Sequence, residues 1–432
     1  MSVADMFEGF LDNLKVDNSE QVSLRYGEVT KSLNQKFRDS DSTTANSLQV
    51  GSYGRYTGIK GISDLDMLYI MPKSKWETYK SGKQSQLLTD VKDAIKDRYP
   101  KTDVRVDRLV VTVTYTNFHI EVQPVFEETD VEGNGYFQYP DTHDGGTWKI
   151  TKPRQEMTAV RELNDKRNKN LRLLCKMARA WKNKHGINMG GLLIDTLAYN
   201  FMKATTTFDN KSFLYFDWLS RDFFKFLSEE PDKDHYQAPG SNQDVKVKKK
   251  FQKQAKTAYE LCLRAIEAEK ESNVNDKWKK VYGRQFPASA QVQKSLTEQA
   301  TSWRDTEEFI EDSHPVDIRF NLKIDCDVFQ NGFREHSLGY MLFNRIQLLA
   351  NKSLMFHVVD CDVPGSYTLK WKVLNRGAEA QRRNEIRGQI VVDDGSRKRK
   401  ETTKFKGEHF VECYAVKNGV VVARATIDVP IQ

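Results

Sequence analysis

Cysteine is scarce and unpatterned in this chain. Its five residues, Cys175, Cys262, Cys326, Cys361 and Cys413, are scattered and never spaced as Cys-x-x-Cys. An odd number without that spacing argues against a disulfide framework and against a zinc ribbon, and the five read as reduced core or strand residues. Long apolar runs are missing too. No stretch approaches the roughly 20 residues of a membrane-spanning helix. The N-terminus lacks the basic start and apolar core of a signal peptide, so a cytoplasmic protein is expected. Internal repeats and low-complexity tracts are absent. Neither sign of charge dominates: 67 Lys and Arg stand against 60 Asp and Glu, a net of +7. So mild an excess suits an enzyme handling polyphosphates but does not by itself indicate long nucleic acid. The run Val245-Lys246-Val247-Lys248-Lys249-Lys250, continuing to Lys253 and Lys256, reads equally as a solvated face or as a patch toward an anionic substrate.

What is present suffices for two or three domains in 432 residues, with 38% hydrophobic and 29% charged residues. Met6, Phe7, Phe10, Leu11 and Leu14 are spaced as an amphipathic helix over 3–15, and a second helix is expected over 20–38. Ser47-Leu48-Gln49-Val50 leads into a glycine-rich turn, and the apolar strand 65–71 is stopped by Pro72. A helix over 83–98 and two β-rich stretches, 103–116 and 118–126, complete a small mixed α/β unit. From 155 to about 285 the pattern is helical, with stripes such as Leu171, Leu174, Cys175, Ala178 and Trp181. Residues 286–315 read as a polar connector with one helix. Beyond Pro315 strands are expected at 316–325, 353–359, 366–374 and 387–393, then a hairpin over 408–429 turning on Asn418-Gly419.

The chemistry concentrates in Gly51-Ser52-Tyr53-Gly54-Arg55 and Gly61-Ile62-Ser63-Asp64-Leu65-Asp66. Gly51 and Gly54 let the backbone approach a ligand closely, and a turn entering a helix would aim free N–H groups and the Ser52 hydroxyl at an anion. Asp64 and Asp66, two residues apart on a strand, project from one face. Two carboxylates there repel unless a cation lies between them, and Mg²⁺ prefers such hard oxygen ligands. Glu121 is a charge inside the strand-like run Phe118-His119-Ile120-Glu121-Val122-Gln123-Pro124-Val125-Phe126. On a neighbouring strand it would complete a two-metal site with ions ~3.5–4 Å apart. Each piece alone is common on protein surfaces; their order before an apolar strand is specific.

These motifs resemble the DNA polymerase β-like nucleotidyltransferases. Within them the chain is similar to the cGAS/DncV-like nucleotidyltransferases (CD-NTases, the SMODS family), second-messenger synthetases of bacterial antiphage systems. The likeness continues through Asn170-Leu171-Arg172-Leu173-Leu174-Cys175-Lys176-Met177-Ala178-Arg179-Ala180-Trp181-Lys182, Pro239-Gly240-Ser241-Asn242 and Trp278-Lys279-Lys280-Val281-Tyr282-Gly283, covering about residues 5–290. The remainder resembles the sensor-type AGS-C domain through Thr306–Asp312, Trp371–Gly377, Arg387-Gly388-Gln389-Ile390 and Gly407–Tyr414. The implied architecture is α+β: a polymerase β-like core with N-terminal helices (1–165), a helical OAS-like domain (166–290), a linker (291–315) and a smaller β-rich C-terminal domain (316–432). Glu121 stands where many relatives carry aspartate, one methylene shorter. The zinc insertion of animal cyclic GMP-AMP synthase is lacking, so double-stranded DNA is not implied as a partner.

By this resemblance, Asp64, Asp66 and Glu121 are the catalytic acids and hold Mg²⁺, with Mn²⁺ an acceptable substitute. Gly51 and Ser52 would hold a phosphate, and one of Lys176 and Arg179 would neutralise the phosphate tail. Arg55 reads as a turn-stabilising residue. Tyr53, Tyr215 and Phe216 could stack on a base, although aromatics are more often core. Asn242 could read a base edge or simply make a turn. Trp371, Asn375 and Arg387 are candidate sensor ligands, with Trp371 equally readable as sandwich core and His409 as a satisfied strand histidine. The expected activity is synthesis of a cyclic di- or trinucleotide from ATP, GTP or other NTPs with release of pyrophosphate, read by a downstream effector and away from membranes. A template-independent RNA-tailing enzyme and a catalytically degenerate nucleotide sensor are the alternatives.

Overall fold

The structure, a computed structural model, describes residues 2–288 and 308–431 apart from 62, 117, 376–378, 380, 381, 384–386 and 406. Most of the expected 291–315 linker, and Thr306, Glu307, Arg376 and Gly377 of the resemblance, lie outside the described residues. The chain divides into two compact units. One comprises residues 2–180 and 189–287; the other comprises 181–188 and the chain from 288 on.

The first unit opens with helices α1 (Val3–Asn13) and α2 (Ser19–Arg38). Ser2 caps α1: its hydroxyl accepts the Asp5 N–H while the Asp5 carboxylate accepts the Ser2 N–H, satisfying donors the first turn cannot pair. Strand β1 (Ser47–Gln49), a single turn α3 (Gly51–Gly54) and strand β2 (Asp64–Ile70) follow, then α4 (Trp76–Tyr79) and α5 (Gln84–Arg98). Strands β3 (Asp103–Val106), β4 (Val111–Thr114), β5 (His119–Thr129), β6 (Gly135–Asp141) and β7 (Thr147–Thr151) complete a seven-stranded sheet. Its order is β1-β2-β5-β4-β3, with β6 on the far part of β5 and β7 beside β6. The β2–β5 pair is parallel, and the other pairs are antiparallel.

Alternation along β2 fixes the site. Leu65, Met67 and Tyr69 are fully buried beneath α2 and α5, in a core with Val29, Leu33, Leu88, Val91, Ile120 and Val122. Each such side chain contributes ~1.5–3 kcal/mol on burial, so the face is strongly specified. Asp64 and Asp66 therefore point to the opposite face.

Helices α6 (Pro153–Lys166), α7 (Asn170–Lys184), α8 (Gly191–Ala204), α9 (Phe216–Glu229), α10 (Gln252–Glu267) and α11 (Val274–Tyr282) follow, interrupted by the small hairpin β8 (His235–Gln237) and β9 (Asp244–Lys246). The N-terminal helix belongs to this helical part, since Phe7 packs edge-on against Trp278, Phe286 and Phe216. Among the described helices, none is long and apolar enough to cross a membrane.

In the second unit two four-stranded antiparallel sheets share one core. Strands β10 (Leu322–Gln330), β11 (Phe333–Ser337), β12 (Ser353–Cys361) and β15 (Lys398–Thr402) run in the order β11-β10-β12-β15. Strands β13 (Thr368–Leu374), β14 (Ile390–Val392), β16 (Gly407–Lys417) and β17 (Val420–Ile431) run β14-β13-β16-β17. Cys326, Val328, Leu354, Phe356, Trp371, Val411 and Cys413 meet in the core. The expected hairpin is present, with Asn418 and Gly419 both at positive φ as its two-residue turn requires. The strand expected at 316–325 instead begins at Leu322. Upstream of it Asp317 and Arg319 donate single backbone N–H groups to Val421 and Val422 without joining a ladder. All five cysteines are free thiols, and four are buried.

Candidate active site

Asp66 lies directly across the parallel ladder from Glu121, and Asp64 from His119. One oxygen from each of Asp64, Asp66 and Glu121 falls within 4.8 Å of the others, and all three residues are half-buried. Oxygen-only donors at that separation fit a hard divalent cation, and without one their mutual repulsion would oppose the arrangement. Two neighbours orient the acids. The Ser63 hydroxyl donates to Asp64 Oδ1 at 3.2 Å, and His119 Nε2 lies 3.3 Å from Glu121 Oε1.

The glycine turn is built against these acids. Gly51 has φ +62, and a β-carbon there would fall 1.8 Å from Asp66 Oδ2. Backbone bonding reinforces the approach, the Val50 N–H donating to the Asp66 carbonyl at 2.9 Å. At Gly54 a β-carbon would meet the Gln49 carbonyl oxygen at 2.4 Å. The first N–H groups of any helical turn lack an intrahelical acceptor, the state in which an anion can accept from them. Ser52 and Tyr53 are half-buried, and Tyr53 packs its ring on the sheet core.

Behind the turn is a group with no sequence signal. Asp195 on α8 is fully buried, yet it accepts from Arg55 Nε (2.8 Å), Thr57 Oγ1 (2.9 Å) and Arg179 Nη1 (2.6 Å). Burial pushes its carboxyl pKa up, but Arg179 and Arg55 outweigh burial and hold it at about 2. Arg55 also approaches Glu156 Oε2 at 3.6 Å. Arg55 is thus the turn-stabilising residue expected. Arg179 corrects its expected phosphate role: it is buried, and its guanidinium is committed to Asp195 and to the Gly191 and Cys175 carbonyls.

Lys176, one turn back on α7, is different. It is half-buried and has no ion-pair partner among the described residues. Burial pushes its pKa down, and the nearby charges of Arg172, Lys15 and Arg179 push it further. Arg172 reaches the end of the glycine turn, donating to the Arg55 carbonyl at 3.0 Å and lying over the Tyr56 ring. An anion there would relieve a crowded cation cluster.

The remaining candidates separate. Asn242 is exposed at φ +53 in the β8–β9 turn, a turn former by conformation. Its neighbour Ser241 is buried and donates to Glu156 Oε1 at 3.1 Å, which explains the Pro-Gly-Ser-Asn segment as an anchor on α6. Phe216 is a core residue, and Tyr215 is half-buried with Lys211 over its ring. In the second unit Trp371 corrects its expected ligand role. It is 1% exposed in the sandwich core, and its indole N–H donates to Asp393 Oδ1 at 2.9 Å. Asn375 and Arg387, joined by a backbone bridge, do line a cavity.

Residues 1–164 match the family model described as Second Messenger Oligonucleotide or Dinucleotide Synthetase domain. Residues 304–432 match the Adenylyl/Guanylyl and SMODS C-terminal sensor domain. A probable cyclic nucleotide synthase of Bacillus cereus (strain VD146) is 22% identical, covering 55% of this chain and 81% of that protein. Among solved structures, CdnC of E. coli MS115-1 with ATP is 14% identical, with a TM-score of 0.49 over 66% of this chain and 98% of its own. CdnG of Bradyrhizobium diazoefficiens with GTP is 10% identical, with a TM-score of 0.49 over 69% and 99%. Vibrio cholerae DncV, a cyclic AMP-GMP synthase, is 13% identical, with a TM-score of 0.45 over 66% and 88%.

Residues 1–164 thus carry a second-messenger nucleotidyltransferase domain of the CD-NTase type, and residues 304–432 match a sensor-type AGS-C domain.

Proposed function

We propose that this chain joins NTPs into a cyclic di- or trinucleotide, releasing pyrophosphate at each bond, as the signal of a bacterial antiphage (CBASS) system with its own effector. The observation that carries the reading is the set of three carboxylates within 4.8 Å on two parallel strands, with Gly51 against Asp66. In the bond-forming step a ribose 2′- or 3′-hydroxyl oxygen attacks an α-phosphorus. The bond from that phosphorus to the β-bridging oxygen breaks, and pyrophosphate leaves.

Asp64, Asp66 and Glu121 would hold Mg²⁺, or Mn²⁺ in its place. Such an ion lowers the pKa of the attacking hydroxyl and neutralises charge on the leaving group. Glu121, with His119 Nε2 at 3.3 Å from its Oε1, would accept the hydroxyl proton. Gly51 and Ser52 would hold the phosphate tail through backbone N–H groups, and Lys176 would supply the countercharge that Arg179 cannot. Asp195 keeps the turn in position, so that the substrate meets donors already in place. The proposed division is a core over 1–165, a helical domain over 166–290, a linker over 291–315 and a sensor domain over 316–432.

Incubation with radiolabelled NTPs and Mg²⁺ tests the reading. A phosphatase-resistant product that disappears in Asp64→Ala/Asp66→Ala is expected. Linear, phosphatase-sensitive chains, or extension of an added RNA primer, would overturn cyclisation.

A further inference from the structure

The C-terminal sandwich holds a cavity of about 330 Å³ that the nucleotidyltransfer chemistry does not use. That volume sits at the low end of the ~300–1,000 Å³ range of small-molecule pockets. Its walls are apolar and polar in nearly equal measure, the apolar part from residues such as Phe356 and Phe405 and the polar part including Asn375, Arg387, Glu401, Lys404 and His409.

Two of these polar groups are incompletely used. Arg387 pairs one Nη with Glu401, a carboxylate that Arg399 also engages, so the acid is neutralised. Arg387 Nε is buried and has no hydrogen-bond partner among the described residues. His409 Nδ1 is in the same condition. The other ring nitrogen, Nε2, faces the Phe405 carbonyl at 3.4 Å, and a carbonyl can only accept. Burial, and then the Arg387 charge, hold the imidazole pKa down, so the neutral ring carries its proton on Nε2. Nδ1 is then a buried acceptor awaiting a donor, and Arg387 Nε a buried donor awaiting an acceptor. A buried polar atom left in that state carries an unrepaid desolvation cost, which a complementary ligand removes.

We propose that this cavity binds a nucleobase or nucleoside, whose planar ring packs against the phenylalanines while an adjacent N–H and C=O or ring nitrogen pair with His409 Nδ1 and Arg387 Nε. A nucleobase edge carries a donor and an acceptor side by side, the two kinds of group that His409 Nδ1 and Arg387 Nε lack. The volume admits one nucleoside and not a whole cyclic trinucleotide. This site is separate from the cyclase reading: a chain that made no cyclic product would still bind here.

The test is calorimetric titration of the full chain, free of NTPs, with guanosine, uridine, adenosine and cytidine. Uridine would be paired with 3-methyluridine, which keeps the carbonyls but lacks the imino N–H. At least one nucleoside should bind, with at least tenfold loss in both Arg387→Met and His409→Phe. If uridine is bound, methylation should weaken it similarly. Binding unchanged in both variants, or no binding by any of the four, overturns the proposal. If the variants fold poorly, hydrogen exchange of the wild-type chain decides. Nucleoside-induced protection at 353–361 and 407–417 supports the site, and protection confined to 47–71 overturns it. Competition by the chain's own cyclic product would identify that product's base, not a free nucleoside, as the source.

Discussion

Gly51 and Asp66 occupy one space: a β-carbon on the first would fall 1.8 Å from a carboxylate oxygen of the second. The turn that would hold phosphate and the acid that would hold metal are therefore mutually fitted. Gly51→Ala should displace the Asp66 carboxylate and strain a residue at φ +62. Pyrophosphate release should fall at least ~100-fold, with a stability loss of only ~1–3 kcal/mol by thermal unfolding. Near wild-type turnover would show that the close approach is incidental.

Removing the acids singly separates their roles. Asp64→Asn, Asp66→Asn and Glu121→Gln should each lower turnover by ~10²–10⁴-fold with unfolding curves unchanged or improved, because each relieves carboxylate repulsion. Glu121→Asp shortens the side chain by one methylene at a position bonded to His119, and should retain more activity than the glutamine variant. Mn²⁺ titration of each variant reads the loss of metal affinity directly.

Lys176 and Arg179 stand three residues apart and should behave oppositely. Lys176→Met removes a charge that burial and three cations already disfavour, so stability should hold or rise while KM for NTP increases several-fold. Arg179→Ala leaves the buried Asp195 with one guanidinium fewer and should cost ~3–5 kcal/mol of stability. Thermal unfolding beside steady-state kinetics distinguishes the two.

Asp195 also predicts acid behaviour. Its folded pKa, about 2, lies below the ~3.9 of an unfolded aspartate. The stabilisation is complete above about pH 4 and is lost as the pH falls toward 2. Asp195→Asn should flatten that part of the pH–stability curve.

Asp217, at the start of α9, has the reverse sign. Burial pushes its carboxyl pKa up to about 6. The folded state then holds a proton that the unfolded chain releases near ~3.9, and stability falls as pH rises from about 4 to beyond 6. Asp217→Asn, which can still accept the Trp218 N–H, should stabilise by roughly 1–3 kcal/mol at pH 7.5 and by almost nothing at pH 4. A melting-temperature series over that range measures it.

The sequence pattern carried the helices and the acid-bearing strand because their burial is one-sided. Leu65, Met67 and Tyr69 alternate with Asp64 and Asp66, and the first helix keeps a clean apolar stripe. It missed β6 and β7, where Gly135, Pro140 and half-exposed aromatics blur the alternation. Strand β15 was invisible for a related reason. Lys398-Arg399-Lys400-Glu401-Thr402 is polar on both faces, and its inward-leaning Glu401 pairs with both Arg399 and Arg387. Asp195 looked like any polar residue in an apolar helix. Its importance comes from partners 138 and 140 residues away at Thr57 and Arg55, which no local pattern encodes. His409 was read as satisfied, and only one of its nitrogens is.

The ladder between β2 and β5 sets the distance from Asp66 to Glu121, and the chain between them does not. The loops between Met71 and Phe118 could lengthen or shorten without moving the acids, provided α5 keeps its packing under β2 and β4 its pairing with β5. A single-residue deletion inside β5 ahead of Glu121 would instead bring an aliphatic side chain to the cation. The chemistry is thus insulated from loop variation and exposed to small edits within the strands, so functional homologues should be sought by strand alignment and not by the spacing of their acids.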